Sequence, residues 1–143
     1  LKSNHSELVK YFELLMTFPE QKQSWVFAKY LVLESDSYGL LLNELFDYFR
    51  TNMNASTQFF AGFLSGIYVK NSNEWLQVIG LIGADEHLVQ YYPSSICTGK
   101  IESSHLNTLI ELIKNNPKNK IKIEKINKRV LFFILSLYSD HDQ

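Results

Sequence analysis

Apolar positions recur along this chain three and four residues apart, in segments separated by short polar breaks. Leu8, Phe12, Leu15 and Met16 fall on one helical face, which predicts a first helix capped by Ser3 or Asn4 and running to about Phe18. The residue before a proline is biased out of the helical region, so this helix ends ahead of Pro19. Proline is tolerated in a first turn, and a second helix over about 20–33 carries Trp25, Val26, Tyr30 and Leu33. The Ser35-Asp36-Ser37 run stops it and supplies an N-cap for a third helix over about 37–50, with Leu41, Leu42, Leu45, Phe46 and Phe49 inward. Asn52-Met53-Asn54 is the next break, and Ser56 caps the helix after it.

That helix contains the stretch 59–69, FFAGFLSGIYV, with no charge in it. It is too short to cross a bilayer, which takes about 20 apolar residues. A helix apolar on every side is buried by its neighbours, so this one reads as the central helix of an all-helical stack. Ala61, Gly62, Ser65 and Gly66 share a face at helical spacing and would let a partner helix come close, while Phe59, Phe60, Phe63, Leu64, Ile67 and Tyr68 fill the space around them.

Beyond the polar cluster Lys70-Asn71-Ser72-Asn73 the pattern predicts a shorter helix over about 74–82, with Trp75, Leu76, Val78, Ile79 and Ile82, and Gly83 as its C-terminal cap. Residues 85–92 read as another short helix stopped by Pro93, and 94–99 as an irregular turn or short helix ending at Gly99. Ser103 or Ser104 opens a clear helix with Leu106, Leu109, Ile110 and Ile113, closed by Asn115-Asn116-Pro117. The last helix begins within 121–125 and reaches about Tyr138; its run 130–135 reads as buried, and 140–143 as frayed ends.

Low proline and glycine, with no Asn-Gly or Asp-Gly hairpin signal, support an all-α fold of about seven to eight helices in one domain over 1–143. The breaks fall near 19, 35, 54, 72, 84, 100 and 118, so a helix pair with its turns takes roughly 35 residues, the period of helix-pair solenoids. In that spacing, over most of its length, the chain resembles irregular HEAT-like α-solenoids, although no family-specific motif accompanies it. The resemblance implies stacked antiparallel helix pairs; a compact helical bundle is the alternative. The start at Leu1 rather than methionine favours a piece of a longer protein.

Composition narrows the function classes. The chain is 45% hydrophobic, 20% charged and 14% aromatic, with a formal net charge of −1, which excludes a globally basic nucleic-acid binder. A single cysteine, Cys97, cannot form an internal disulfide, and a cytoplasmic, intracellular placement is expected. No Gly-x-Ser-x-Gly, His-Glu-x-x-His or EF-hand pattern occurs. Thr98-Gly99-Lys100 echoes the end of a phosphate loop, but position 94 is serine and Ile101 follows the lysine, so a helix-ending loop explains it better.

Cys97 with His87 or His105 has the residue types of a Cys-His nucleophile, but its apolar, serine-rich neighbourhood favours a small buried thiol. Asp85-Glu86-His87 and Glu102 with His105 bring acid beside histidine; two ligands are too few for zinc, and both clusters sit at predicted helix starts, where acids meet the helix dipole favourably. No metal or cofactor is expected. The strongest polar feature is 118–129, where Lys118, Lys120, Lys122, Lys125, Lys128 and Arg129 stand against Glu124 alone. Ile121, Ile123 and Ile126 alternate with these cations, so one side of the segment packs down. By contrast, 71–113 holds Glu74, Asp85, Glu86, Glu102 and Glu111 against Lys100.

The expected function is that of a non-enzymatic helical scaffold binding another protein, with self-association one form of that. Trp75, Tyr91, Tyr92 and the 118–129 cations are the expected partner-binding residues. The alternatives are nucleic-acid contact through the basic segment, which arginine-poor composition disfavours, and a small enzyme site at Asp85, His87, Cys97 and His105.

Overall fold

Glycine in a helix interior costs roughly 0.5–1 kcal/mol relative to alanine, yet the apolar helix over Thr57–Lys70 holds two, and they set its closest packing. The computed structural model describes residues 21–52, 57–115, 121, 126 and 128–141. Among these the fold is all-α: α1 (Gln21–Glu34), α2 (Tyr38–Thr51), α3 (Thr57–Lys70), α4 (Ser72–Ala84), a 3-10 turn (Val89–Tyr91), the single turn α5 (Tyr92–Ser95), a second 3-10 turn (Ile96–Thr98), α6 (Ser103–Lys114) and α7 (Lys128–His141). The first helix expected from the pattern, with Pro19, lies outside the described residues. Two compact units divide the chain, Leu1–Trp75 and Leu76–Gln143.

The first unit is built around α3. Phe59, Phe60, Phe63, Leu64 and Ile67 are buried, as expected of a helix apolar all round. α1 lies against the face carrying Gly62 and Gly66. A Cβ added at Gly62 would overlap the Trp25 carbonyl oxygen and lie 2.8 Å from that residue's carbonyl carbon and Cα, and one at Gly66 would lie 2.8 Å from the Lys29 carbonyl oxygen and the Val32 Cβ. Backbone meets backbone here, which only residues without a side chain allow. α1 answers with small buried positions of its own, Ser24, Ala28 and Val32.

α2 covers another side of α3 with the expected residues, Leu41, Leu42, Leu45, Phe46 and Phe49. Phe49 stacks on Phe60 at 4.8 Å between centroids, and Phe46 and Tyr38 meet Phe60 and Phe63 edge-on at 5.9 and 6.4 Å. Such aromatic pairs add to the area they bury. Lys70, the last residue of α3, ties the loop between α1 and α2. Its ammonium donates to the carbonyls of Val32, at 3.2 Å, and Ser35, and lies 5.4 Å from the centre of the Tyr38 ring. The Tyr38 hydroxyl donates to the Glu74 carboxylate; burial first, and that carboxylate second, push its pKa upward. Lys70→Met is expected to lower the stability of this unit by about 1 kcal/mol, since bonds to charged groups are worth roughly 1.5–3 kcal/mol and solvent discounts this one. The midpoint of urea unfolding measures it.

In the second unit α6 and α7 pack on one another. Leu106 and Leu109 of α6 and Val130 and Ile134 of α7 are buried, and so are Ile121 and Ile126 ahead of α7. Those two match the expected packed side of the basic segment, while Ile123 lies outside the described residues.

Three expectations need correcting. Residues 85–92 form a turn and a 3-10 turn rather than a helix, and Pro93 opens α5 instead of stopping its predecessor, because proline suits a first turn. α4 runs on to Ala84, so Gly83 is inside its last turn and serves as a seat for the Tyr92 ring rather than as a cap. The run 130–135 is only partly buried: Phe132 and Leu135 are 68% and 67% exposed. α1 forms as expected; it buries its small side and leaves Val26 and Tyr30 in solvent.

Candidate functional site

α6 begins at a capping box. Glu102 is extended, its carboxylate accepts from the His105 backbone N–H, and the Glu102 N–H donates to His105 Nδ1 at 3.0 Å. Glutamine or glutamate usually takes the role that His105 fills. Accepting at Nδ1 places the proton of the neutral ring on Nε2. Burial pushes the imidazole pKa below its usual 6.5, with the Glu102 carboxylate working against that.

A lowered histidine pKa means that the unfolded chain binds more protons than the folded one just below 6.5. The contribution of His105 to stability is therefore present above its ordinary pKa and is lost as pH falls below it. His105→Gln keeps a capping-box residue but removes the titration. The protection factors of the α6 amides, followed from about pH 7.5 to about pH 5.5, are expected to fall less in this variant than in wild type.

His105 also lines a hollow of ≈ 360 Å³ with Leu76, Ile79, Gly80, Gly83, Ala84, Tyr92, Ser104 and Thr108. The α4 wall is low because two of its positions are glycine and one is alanine. A Cβ at Gly83 would come within 3.0 Å of two Tyr92 ring carbons, whereas one at Gly80 meets nothing within 4 Å. Tyr92 is 2% exposed; burial raises its pKa, and its hydrogen bond with Thr108 opposes that. A second hollow of ≈ 340 Å³ continues along α6 through Thr108 to Asn107, Glu111, Leu112 and Asn115. Together they form a groove with an apolar floor and a rim of hydroxyl, amide and carboxylate groups.

The expected binding residues are placed differently. Trp75 is 1% exposed, with its ring edge-on to Tyr68 at 5.2 Å between centroids, and Tyr91 and Tyr92 are buried. Their exposure is corrected: each aromatic faces inward because its side of the helix or turn is the apolar one. Lys128 is exposed at the start of α7. Arg129 belongs to the same helix, and Lys118, Lys120, Lys122 and Lys125 lie outside the described residues.

The residues of the enzyme alternative are engaged locally. Asp85 Oδ1 accepts from the His87 and Leu88 N–H groups at 2.8 and 3.0 Å, and His87 Nε2 lies 3.1 Å from Glu86. Cys97 Sγ donates to the Pro93 carbonyl at 3.4 Å. Of Asp85, His87, Cys97 and His105, His105 is the one that lines the groove. Among the described residues no three acids, histidines or cysteines come together as metal ligands. None of the described helices is long and apolar enough to cross a membrane.

The pattern of letters missed the outer face of α1, where Val26, Phe27 and Tyr30 are exposed, Phe27 by 46% and Tyr30 by 57%. The signal was available: residues 25–28 and 30–33 carry apolar or aromatic side chains all around the helix, more than one packed side can cover. No protein-family model, curated protein or solved structure matches the chain.

Proposed function

We propose that this chain is a non-enzymatic helical module that binds another protein through an apolar helix face. The observation that carries this reading is the outer side of α1, where Val26, Phe27 and Tyr30 stand at i, i+1 and i+4 beside one another in solvent. α1 is held on its other side by α3 at Gly62 and Gly66, and Phe27, with its ring centroid 6.3 Å from that of the buried Phe59, ties the edge of this face to the core, so Val26 and Tyr30 are its outermost members. Clustered aromatic side chains on a rigid helix are the residue types that dominate binding energy at interfaces, and adjacent large apolar groups in water mark contact surfaces. The stacked helix-pair reading and a cytoplasmic placement go with this proposal, the first on helix spacing and the second on the single thiol Cys97.

The test compares wild type with Val26→Ser/Phe27→Ser/Tyr30→Ser. A protein cross-linked to wild type in lysate and identified by mass spectrometry is then purified and titrated against both. Binding to wild type with a negative heat-capacity change, weakened about thirtyfold or more in the variant, is the expected result. Equal affinity for both chains would remove α1 as the binding face.

A further inference from the structure

His105 joins two features of the second unit. Its ring folds back over the start of α6, where Nδ1 accepts from the Glu102 N–H at 3.0 Å, and the same ring, 7% exposed, forms part of the wall of the α4–α6 hollow. Glutamine in this role accepts at any pH, whereas imidazole changes its proton count near neutrality. A proton on Nδ1 turns the acceptor into a second donor facing the Glu102 N–H, and that bond does not survive it. The surroundings offer the cation little. α4 presents apolar side chains and two glycines to the hollow, and α6 adds the Ser104 and Thr108 hydroxyls. Among the described residues lining the hollow, Tyr92 on α5 is the titratable one besides His105, and its hydroxyl, engaged with Thr108, is buried. The charge that bears on the ring is the Glu102 carboxylate; burial outweighs it, and the capping box commits that group to the His105 backbone N–H. A charged group without compensation in such a place moves to water. α6 itself does not depend on the box beyond its first turn, because Leu106 and Leu109 are buried and fasten the helix.

We propose that His105 is an acid-released latch: protonation at Nδ1 swings the imidazole out of the hollow, unfastens Glu102 and the first turn of α6, and opens the hollow while the rest of α6 stays helical. The proton comes from water and returns to it as pH rises, so the change is reversible. The latch rests on the capping geometry and not on the α1 face, so either reading can fail while the other stands.

Nuclear magnetic resonance of the wild-type chain, titrated from about pH 7.5 to about pH 5, above the usual carboxylate range, reads each part. At the upper end the His105 nitrogen signals are expected to be those of a ring with its proton on Nε2. As pH falls, the Glu102 and His105 amides are expected to shift with the midpoint of the His105 ring. The Leu106 amide is expected to lose protection about tenfold, the equivalent of one pH unit, while the Ile110 and Ile113 amides keep theirs. Ile79, buried in the opposite wall, reports the opening: relaxation of its methyls by a soluble nitroxide is expected to rise with the same midpoint. His105→Gln keeps a capping acceptor that does not titrate and is expected to flatten all of these responses; His87→Gln, which removes an exposed imidazole, is expected to leave them unchanged. A ring protonated on Nδ1 at pH 7.5 would overturn the proposal. So would a His105 titration that leaves the Leu106 protection and the Ile79 relaxation unmoved, or the same response in His105→Gln. Loss of protection through the whole of α6 together would overturn it too, since that is unfolding rather than release of one turn.

Discussion

Gly62→Ala is expected to destabilise the first unit by roughly 3 kcal/mol, the upper end of the usual cost of overpacking. The added methyl has nowhere to go: it would overlap the backbone carbonyl of Trp25, and a backbone cannot rotate aside as a side chain does. α1 and α3 must separate, which also loosens the contact at Gly66. Helix propensity acts in the opposite sense, by about 0.5–1 kcal/mol in favour of alanine. The control is Gly80→Ala, where nothing lies within 4 Å of the new Cβ, and the same substitution is expected to stabilise by about 0.5–1 kcal/mol. Both tryptophans of the chain, Trp25 and Trp75, belong to the first unit, so fluorescence during urea unfolding reads Gly62→Ala, and far-ultraviolet circular dichroism, which follows helix in both units, reads Gly80→Ala in the second. Equal effects at Gly62 and Gly80 would mean that α1 does not touch α3 as described.

Trp75→Ala is expected to cost about 3–5 kcal/mol, the range for truncating a large buried aromatic. The ring is almost wholly buried and meets Tyr68 edge-on, and Tyr38 reaches Glu74 one residue away, so a cavity here also weakens the packing of the first turn of α4 on the first unit's core. Trp25 remains as the fluorescent reporter. A surface anchor truncated to alanine would leave stability within about 0.5 kcal/mol, and that result would return Trp75 to the binding residues.

Much of the fold was legible because it depends on period and punctuation. α2 and α6 follow their apolar stripes within a residue or two, and the small residues of 59–69 announced a close helix contact before any partner was known. The letters could not say which side of α1 is inward. Trp25, Val26, Tyr30 and Leu33 are larger than Ser24 and Ala28, so hydrophobicity alone does not pick out the side that is buried. A glycine-lined partner selects for small residues instead, and that is a property of two helices together. Pro93 misled for a related reason, since a proline can end one helix or begin another and local sequence does not distinguish them.

The site was less legible. Tyr91, Tyr92 and Trp75 attracted attention as aromatic residues near breaks, but aromatic character is shared by core and interface. The capping role of Glu102 and His105 was closer to the surface of the pattern, because the pair sits three apart at a helix start. The groove came from Gly80 and Gly83 lying opposite Ser104 and Thr108, residues over twenty positions apart that no spacing rule connects.

Some aromatic residues of this protein are buried in the fold and others are exposed, and hydroxyl-radical footprinting read by mass spectrometry tests that division on the intact wild-type chain. Phe27, Tyr30 and Phe132 are expected to oxidise fast, and Trp75, Tyr91 and Tyr92 slowly, despite the high intrinsic reactivity of tryptophan and tyrosine. Trp75 or Tyr92 reacting as fast as Tyr30 would contradict that division and put the binding surface back on the residues that the fold buries.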